Sequence, residues 1–493
     1  MGHCLEHALF GNTMSPMALH PFRCDDKVIC EGLQALRTEL DVPAAFTPEV
    51  IAEAEASAAA GPQIPPGSAA TTVADFTDLA LVTIDPPDSM DLDQAVHVAK
   101  TDDGWRVHYA IADVAAWVAP GGAIDLESQA RGFTMYFPDS RSPLHPQAIS
   151  EDAASLLPDL DRQSLLWTID LDETGEIINA NLERALVRSR AKLSYAAAAQ
   201  LIEDGDEMLL ALRSVGLLRE ALEVERDAVS LRLASQEVFA TDTGFALRYD
   251  ESLPIEGWNA QVSLLTGIAA AQIMMDGKVG LLRTLPPPQN RTIRELRQVA
   301  KGLDVEWPKS MSYPAMVRSL SPSDPMDAAM ISQSARGLRG AGYEAFDGEL
   351  PEMTQHSAIS ADYAHVTAPL RRLGDRYANE CVLAVLAGVR PPDWVLETLP
   401  ELPKLLGAAR NREGSADRAV FDLVEAALLV DRVQDTFHGL VTSVDEKKNR
   451  VRVQLRDPAV VAYADGHTEL GTEVLVRLNS VDVQGRKVDF TLV

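Results

Sequence analysis

Cysteine is scarce in this chain: Cys4, Cys24, Cys30 and Cys381 are the four in 493 residues, and no CxxC pair occurs. That scarcity excludes a zinc ribbon and a disulfide framework, and it points to a reduced, cytoplasmic protein. His3, Cys4 and His7 lie close together but read as a terminus rather than a metal site. Long apolar runs are also missing. The longest candidate, 262–275, carries Ser263, Thr266, Gly267 and Gln272. It is shorter than the ~20 residues a bilayer demands and reads as a buried helix, so no membrane is expected. The first thirty residues lack a basic segment followed by an apolar one, so no signal peptide is expected. Positive charge is in deficit: 44 Lys and Arg stand against 73 Asp and Glu, a formal net charge of −29. This excludes a broad basic coat for nucleic acid, but not a narrow basic channel inside an acidic body.

What is present divides into three textures. Val28, Cys30, Leu33, Leu36 and Leu40 recur at helical spacing, and Thr47-Pro48-Glu49 is a cap that opens a second, alanine-rich helix. Two helices joined by a short turn suggest a helix-turn-helix or winged-helix unit, which either binds nucleic acid or packs on the next domain. A Pro/Gly/Ser stretch over 61–72 closes this N-terminal unit, 1–72. From 73 to 436 strands such as 80–84 and 105–112 give way to helical patterns, an α+β order. From 437 to 493 four or five β-branched runs separated by turns suggest an OB-type barrel. Phe437, His438, Arg450, Arg452, Tyr463 and Arg477 are available there to line a groove for a single strand.

The most informative segment runs from Thr83 to Gln94. Asp85, Asp88, Asp91 and Asp93 fall within nine residues, directly after an apolar strand, and Pro86-Pro87 stiffens the turn. Crowded carboxylates repel unless cations or donors sit among them. Their hard oxygens suit magnesium or manganese; the alternative is a solvated acidic turn. The stretch 170–175 opens like a calcium loop, but Asn181 stands where the closing Glu belongs, so it reads as a hairpin turn.

At this point the order of motifs resembles a known family. TIDPPDSMDLDQAV, HYAIADVAAWV, RGFTMYFPD, RAKLSY, YAHVTAPLRRLGD and GSADRAV follow one another as in the RNB catalytic domain of the ribonuclease II family, over about 75–435. The tail resembles that family's OB-type RNA-binding domain. The resemblance implies a processive, magnesium-dependent 3′→5′ exoribonuclease acting as a monomer on single-stranded RNA and releasing nucleoside 5′-monophosphates. It implies that Asp85, Asp91, Asp93 and Gln94 hold metal, with manganese as a possible substitute, and that Asp91, Asp93 and Arg371 are catalytic. It further implies that Tyr136 and Phe239 clamp the terminal base, and that Tyr195, Arg372 and Asp417 contact RNA. A sequence-blind stacking clamp suits an enzyme that must accept any base.

The sequence also departs from that pattern. Gln94 stands in place of a fourth Asp, Asp417 in place of a Glu, and Asn379-Glu380 in place of a His-Arg pair. The Ser263–Thr266 segment replaces a Glu-rich block. These losses leave a second reading, a catalytically weakened RNA-binding adaptor on the same fold. Only 72 residues precede the catalytic segment, too few for two cold-shock barrels, so a single helical domain is expected there.

Overall fold

The computed structural model describes residues 27–43, 45–229, 236–241, 244–249, 253–321 and 324–493. His3, Cys4, His7 and Cys24 lie outside the described residues. Two helices open the described chain: α1 (Lys27–Glu39) and α2 (Pro48–Ala60). Thr47 caps α2, its hydroxyl accepting from the Val50 amide, as the sequence predicts. The helices dock on different parts of the molecule. Ile29, Leu33 and Leu36 of α1 pack with Val420, Leu423 and Val424 of a later helix and with the C-terminal barrel. Gly32 permits this approach, because a Cβ there would stand 2.7 Å from a Leu423 methyl. Val50 and Ala54 of α2 join Val114, Trp117 and Ile124 instead, and Glu53 accepts from the Ala123 amide. The packing reading of this pair therefore holds.

Five strands close a barrel in the order β1 (Ala74–Ile84), β2 (Gln94–Thr101), β3 (Gly104–Ala112), β6 (Asp161–Asp172) and β7 (Ile177–Leu193), where β4 (Met135–Tyr136) and β5 (Arg141–Ser142) form a small separate hairpin. Helix α3 (Ala123–Arg131) precedes that hairpin. Neighbours in the barrel run antiparallel except β1 and β7, which pair in parallel with bulges. The predicted hairpin turn after Asp170 joins β6 to β7. Asp172 accepts from the Thr174 and Glu176 amides at 2.8 and 3.0 Å.

Helices α4 (Tyr195–Glu203), α5 (Glu207–Glu225) and α6 (Pro254–Gly277) cover the barrel. Val262, Leu265, Ala269 and Met274 of α6 are fully buried, as expected of this apolar helix. Between α5 and α6 lies the hairpin of β8 (Gln236–Thr241) and β9 (Gly244–Tyr249). Beyond α6, strand β10 (Val279–Thr284) pairs with β11 (Gly342–Asp347), two strands the sequence reading took as helical territory. Helices α7 (Asn290–Gly302), α8 (Tyr313–Ser319) and α9 (Pro325–Ser334) connect them. Helix α10 (Leu373–Leu386) is buried along most of its length, and the long α12 (Leu402–Leu429) follows the short α11 (Asp393–Thr398).

The C-terminal OB-type barrel is present and closed, with strands between Thr436 and Leu492. Phe437 does not line its outer groove. It is 3% exposed and packs edge-on against Phe490 in the barrel core. Tyr463 is exposed, with the Arg450 guanidinium 3.9 Å above its ring centre.

Candidate active site

The acidic segment begins where the barrel closes. Burial increases along β1 toward Leu81, Thr83 and Ile84, and the next amide, of Asp85, donates to the Leu193 carbonyl at the end of β7 at 3.0 Å. The Pro86-Pro87 turn is pinned from the same strand. The Lys192 ammonium donates to the Pro87 and Ser89 carbonyls, each at 2.5 Å. Ser155 bridges the far side: its hydroxyl donates to the Met90 carbonyl at 2.6 Å and accepts from the Leu92 amide at 3.0 Å. Asp91 and Asp93 are thus delivered by a fixed turn rather than a solvated one.

A second wall comes from the segment 364–372. The Leu370 amide donates to Asp93 at 2.8 Å, and the Arg371 guanidinium lies 3.5 Å from the other Asp93 oxygen. The Thr134 amide donates to the Arg371 carbonyl at 3.0 Å, so this wall also adjoins the β4–β5 hairpin. Gln94, at the start of β2, donates its side-chain amide to the Thr367 carbonyl at 2.5 Å.

The hairpin is the third wall. Tyr136 on β4 pairs across the turn with Arg141 on β5. Arg141 donates to Asp91 at 2.8 Å and also pairs with Glu151.

The electrostatics follow from burial. Asp93 is 4% exposed, and desolvation holds its carboxyl well above the usual range despite Arg371 and the Leu370 amide. Burial pushes Asp85 up to about 7, with Arg371 opposing, Asp91 adding and Lys192 opposing. Burial raises the Tyr136 hydroxyl, with Asp91 adding and Arg371 opposing. Burial likewise raises Tyr195, the first residue of α4, with the Asp85 carboxylate next in weight. Arg371 is thus the cation shared by Asp85, Asp93, Tyr136 and Tyr195.

Two residues of this site escaped the sequence reading. Arg141 is one. Glu413 on α12 is the other: burial pushes it up to about 7, against Arg410 and Arg371. Asp417, the sequence-predicted RNA contact, lies one helical turn further on and is 4% exposed. Positions i and i+4 share a helix face, so spacing alone does not choose between the two. Arg372, also expected on RNA, is turned inward at 8% exposure. It donates to Asp375 at 2.9 Å and to Thr367 at 3.2 Å, which secures the start of α10. Phe239 falls on β8; its side chain lies outside the described residues.

The Glu380 departure has a partner. Arg184 on β7 pairs with Glu380 and, at 2.8 Å, with Asp113, and donates to Ser68 at 2.6 Å. The substitution belongs to a buried ion network, not to a vacated ligand position.

The donor set suits a hard divalent ion, since the half-buried Asp85 and the buried Asp93 are carboxylates whose charge the nearby cations do not fully compensate. Among the described residues no three such side chains stand ready as a metal cage. Asp91 faces Arg141, and Asp93 faces Leu370 and Arg371. A bound ion would share these carboxylates with their protein partners or displace them.

Comparison with known proteins agrees with this layout. The chain matches the RNB domain over residues 73–388 and the RNase II-type exonuclease C-terminal S1 domain over 435–493. It is 25% identical to ribonuclease R of Escherichia coli over 472 residues, covering 85% of this chain and 57% of that protein. The chain thus spans little more than half the length of the curated relative. Among solved structures it is similar to apo RNase R of Mycoplasma genitalium, with a TM-score of 0.83 at 18% identity, covering 95% of this chain and 78% of that one. It is also similar to yeast Ssd1, described as a pseudonuclease, with a TM-score of 0.66 at 15% identity, covering 85% and 54%. Among the described residues no helix is long and apolar enough to cross a membrane. With the RNB match spanning well over half of its length and the S1 match covering its C-terminal barrel, this chain belongs to the RNB family.

Proposed function

We propose that the protein is a processive 3′→5′ exoribonuclease that hydrolyses single-stranded RNA to nucleoside 5′-monophosphates, with magnesium, or manganese in its place, as cofactor. The observation that carries this reading is the convergence of Asp85 and Asp93 on Arg371, with Asp91 held beside them by Arg141, next to two aromatic hydroxyls. Asp85, Asp91 and Asp93 would hold the ions, with the Gln94 carboxamide beside them. When bound, such ions activate water and stabilise the leaving 3′ oxygen. The chain's own residues supply the rest. Arg371 offers a planar fork to the scissile phosphate and neutralises charge developing on its oxygens. Tyr136 stacks on the terminal base, and Phe239 closes the clamp from the other side. Tyr195 and Glu413 line the path of the strand. Asp85 and Asp93, raised by burial, bind ions only after releasing their protons, so ion binding and proton release are coupled.

The test is digestion of 5′-labelled single-stranded RNA with and without magnesium, beside an Asp93→Asn variant. A ladder of shortening products that needs both magnesium and Asp93 supports the enzyme. The second reading, an RNA-binding adaptor, is favoured by the protein partners that already occupy Asp91 and Asp93. A mobility shift without shortening in the same assay selects it.

A further inference from the structure

Helix α1 does more than cover the core. Its Arg37 grips the tip of the β4–β5 hairpin with a two-pronged fork: one nitrogen lies 2.8 Å from one Asp139 oxygen, and the other 2.8 Å from the second. The first nitrogen also donates to the Ser140 hydroxyl at 2.9 Å, and the guanidinium lies 5.2 Å from the Phe137 ring centre. Phe137 and Met135 are buried in the same apolar cluster as Ile29, Leu33 and Leu36 of α1. The base of the hairpin is held by the segment after α1. The Ser142 hydroxyl donates to the Pro43 carbonyl at 2.5 Å, and Arg131 donates to that same hydroxyl at 3.0 Å while stacking 3.9 Å from the Phe46 ring centre.

The hairpin so held contributes only a two-residue ladder of its own, Met135 with Ser142 and Tyr136 with Arg141. A ribbon this short has little independent stability. Yet it carries two residues of the candidate site on one rung: Tyr136, beside Asp91 and Arg371, and Arg141, which holds Asp91. Its geometry is therefore set from outside, and the element that holds its tip is α1.

We propose that α1 is an intramolecular brace for the nucleotide clamp, and that Arg37 is a positioning residue which, through Asp139, fixes the rung bearing Tyr136 and Arg141. This rests on the reading above that Tyr136 stacks on the terminal nucleotide. Arg37 touches neither substrate nor reacting atoms; it limits how far the hairpin can swing when a base enters.

The test uses the full chain and an RNA oligomer carrying 2-aminopurine at its 3′ end, bound in EDTA, together with steady-state kinetics on the same RNA in magnesium. Stacking on a base is worth enough that Arg37→Ala is expected to raise KM about tenfold, with kcat within about threefold. Much of the 2-aminopurine quench should disappear at saturating protein. The double exchange Arg37→Asp with Asp139→Arg should restore both readouts.

Arg486→Ala separates positioning from simple stability. It cuts the ion pair of 2.8 and 3.0 Å that ties Glu39 of α1 to the C-terminal barrel, without touching the hairpin. Its quench should stay at the level of the unmodified protein whatever its melting temperature. Equal loss of quench in Arg486→Ala and Arg37→Ala would overturn the proposal, as would full quench and unchanged KM in Arg37→Ala. Tyr136→Ala tells the two claims apart. If it lowers the quench while Arg37→Ala does not, only the brace fails; if Tyr136→Ala itself changes nothing, the clamp reading and the brace fall together.

Discussion

The side-chain amide of Gln94 donates to the Thr367 carbonyl at 2.5 Å, joining positions 273 residues apart. This bond ties the start of β2 to the wall that carries Arg371, so Gln94 has a structural task beside the acidic cluster. Gln94→Asp would add a carboxylate to that cluster and is expected to lower the half-saturating magnesium concentration in RNA digestion. It would also set an acceptor against the Thr367 carbonyl and cost about 1–3 kcal/mol in urea denaturation without added metal. An unchanged magnesium dependence would refute a ligand role for this position.

Arg371→Ala should lower kcat about 10²–10³-fold, the usual cost of losing one group that stabilises developing charge. Arg371→Lys should recover only part, because an ammonium lacks the fork that matches phosphate oxygens. The comparison is single-turnover digestion at saturating protein. A Lys variant as fast as the unmodified chain would show that charge alone suffices.

Glu413 gives a pH dependence with a definite sign. Its folded value of about 7 exceeds its ordinary 4.5, so between those values the folded chain holds a proton that the unfolded chain has released. The stability it contributes is full below pH 4.5 and is lost as pH rises toward 7. Chemical denaturation across that window should show a steeper fall for the unmodified chain than for Glu413→Gln. Parallel profiles would place Glu413 in a wetter setting than its burial implies.

Glu380→Ala should destabilise by about 3–5 kcal/mol, because it strips a partner from a buried arginine. Arg184 and Glu380 have side chains 0% and 1% exposed, so water cannot replace the lost carboxylate. Urea denaturation reads the loss directly. A stability within error of the unmodified chain would mean that Asp113 and Ser68 suffice to satisfy Arg184.

Much of this was legible in the linear pattern. The two N-terminal helices, the hairpin turn after Asp170 and the C-terminal barrel all carry local signals: helical spacing, a cap, β-branched runs. The acidic turn was legible too, because four carboxylates beside a Pro-Pro pair conflict with ordinary folding preferences. Closure of the first barrel was not, since it depends on parallel pairing of β1 with β7 across a long intervening stretch. Arg141 was invisible for a related reason. It lies fifty residues from Asp91, and only the hairpin's position makes them partners. Glu380 looked like a lost functional residue because its partner, Arg184, lies on a distant strand. Arg372 and Phe437 looked solvent-facing because composition does not report which way a side chain turns.

The bond from the Leu370 amide to Asp93 spans 277 residues. A ribosome must therefore add those 277 residues after Asp93 before that contact can form. Until then the emerging polypeptide holds its aspartates without their arginine. For a protein proposed to destroy transcripts, this ordering delays activity until both segments of the site have been synthesised.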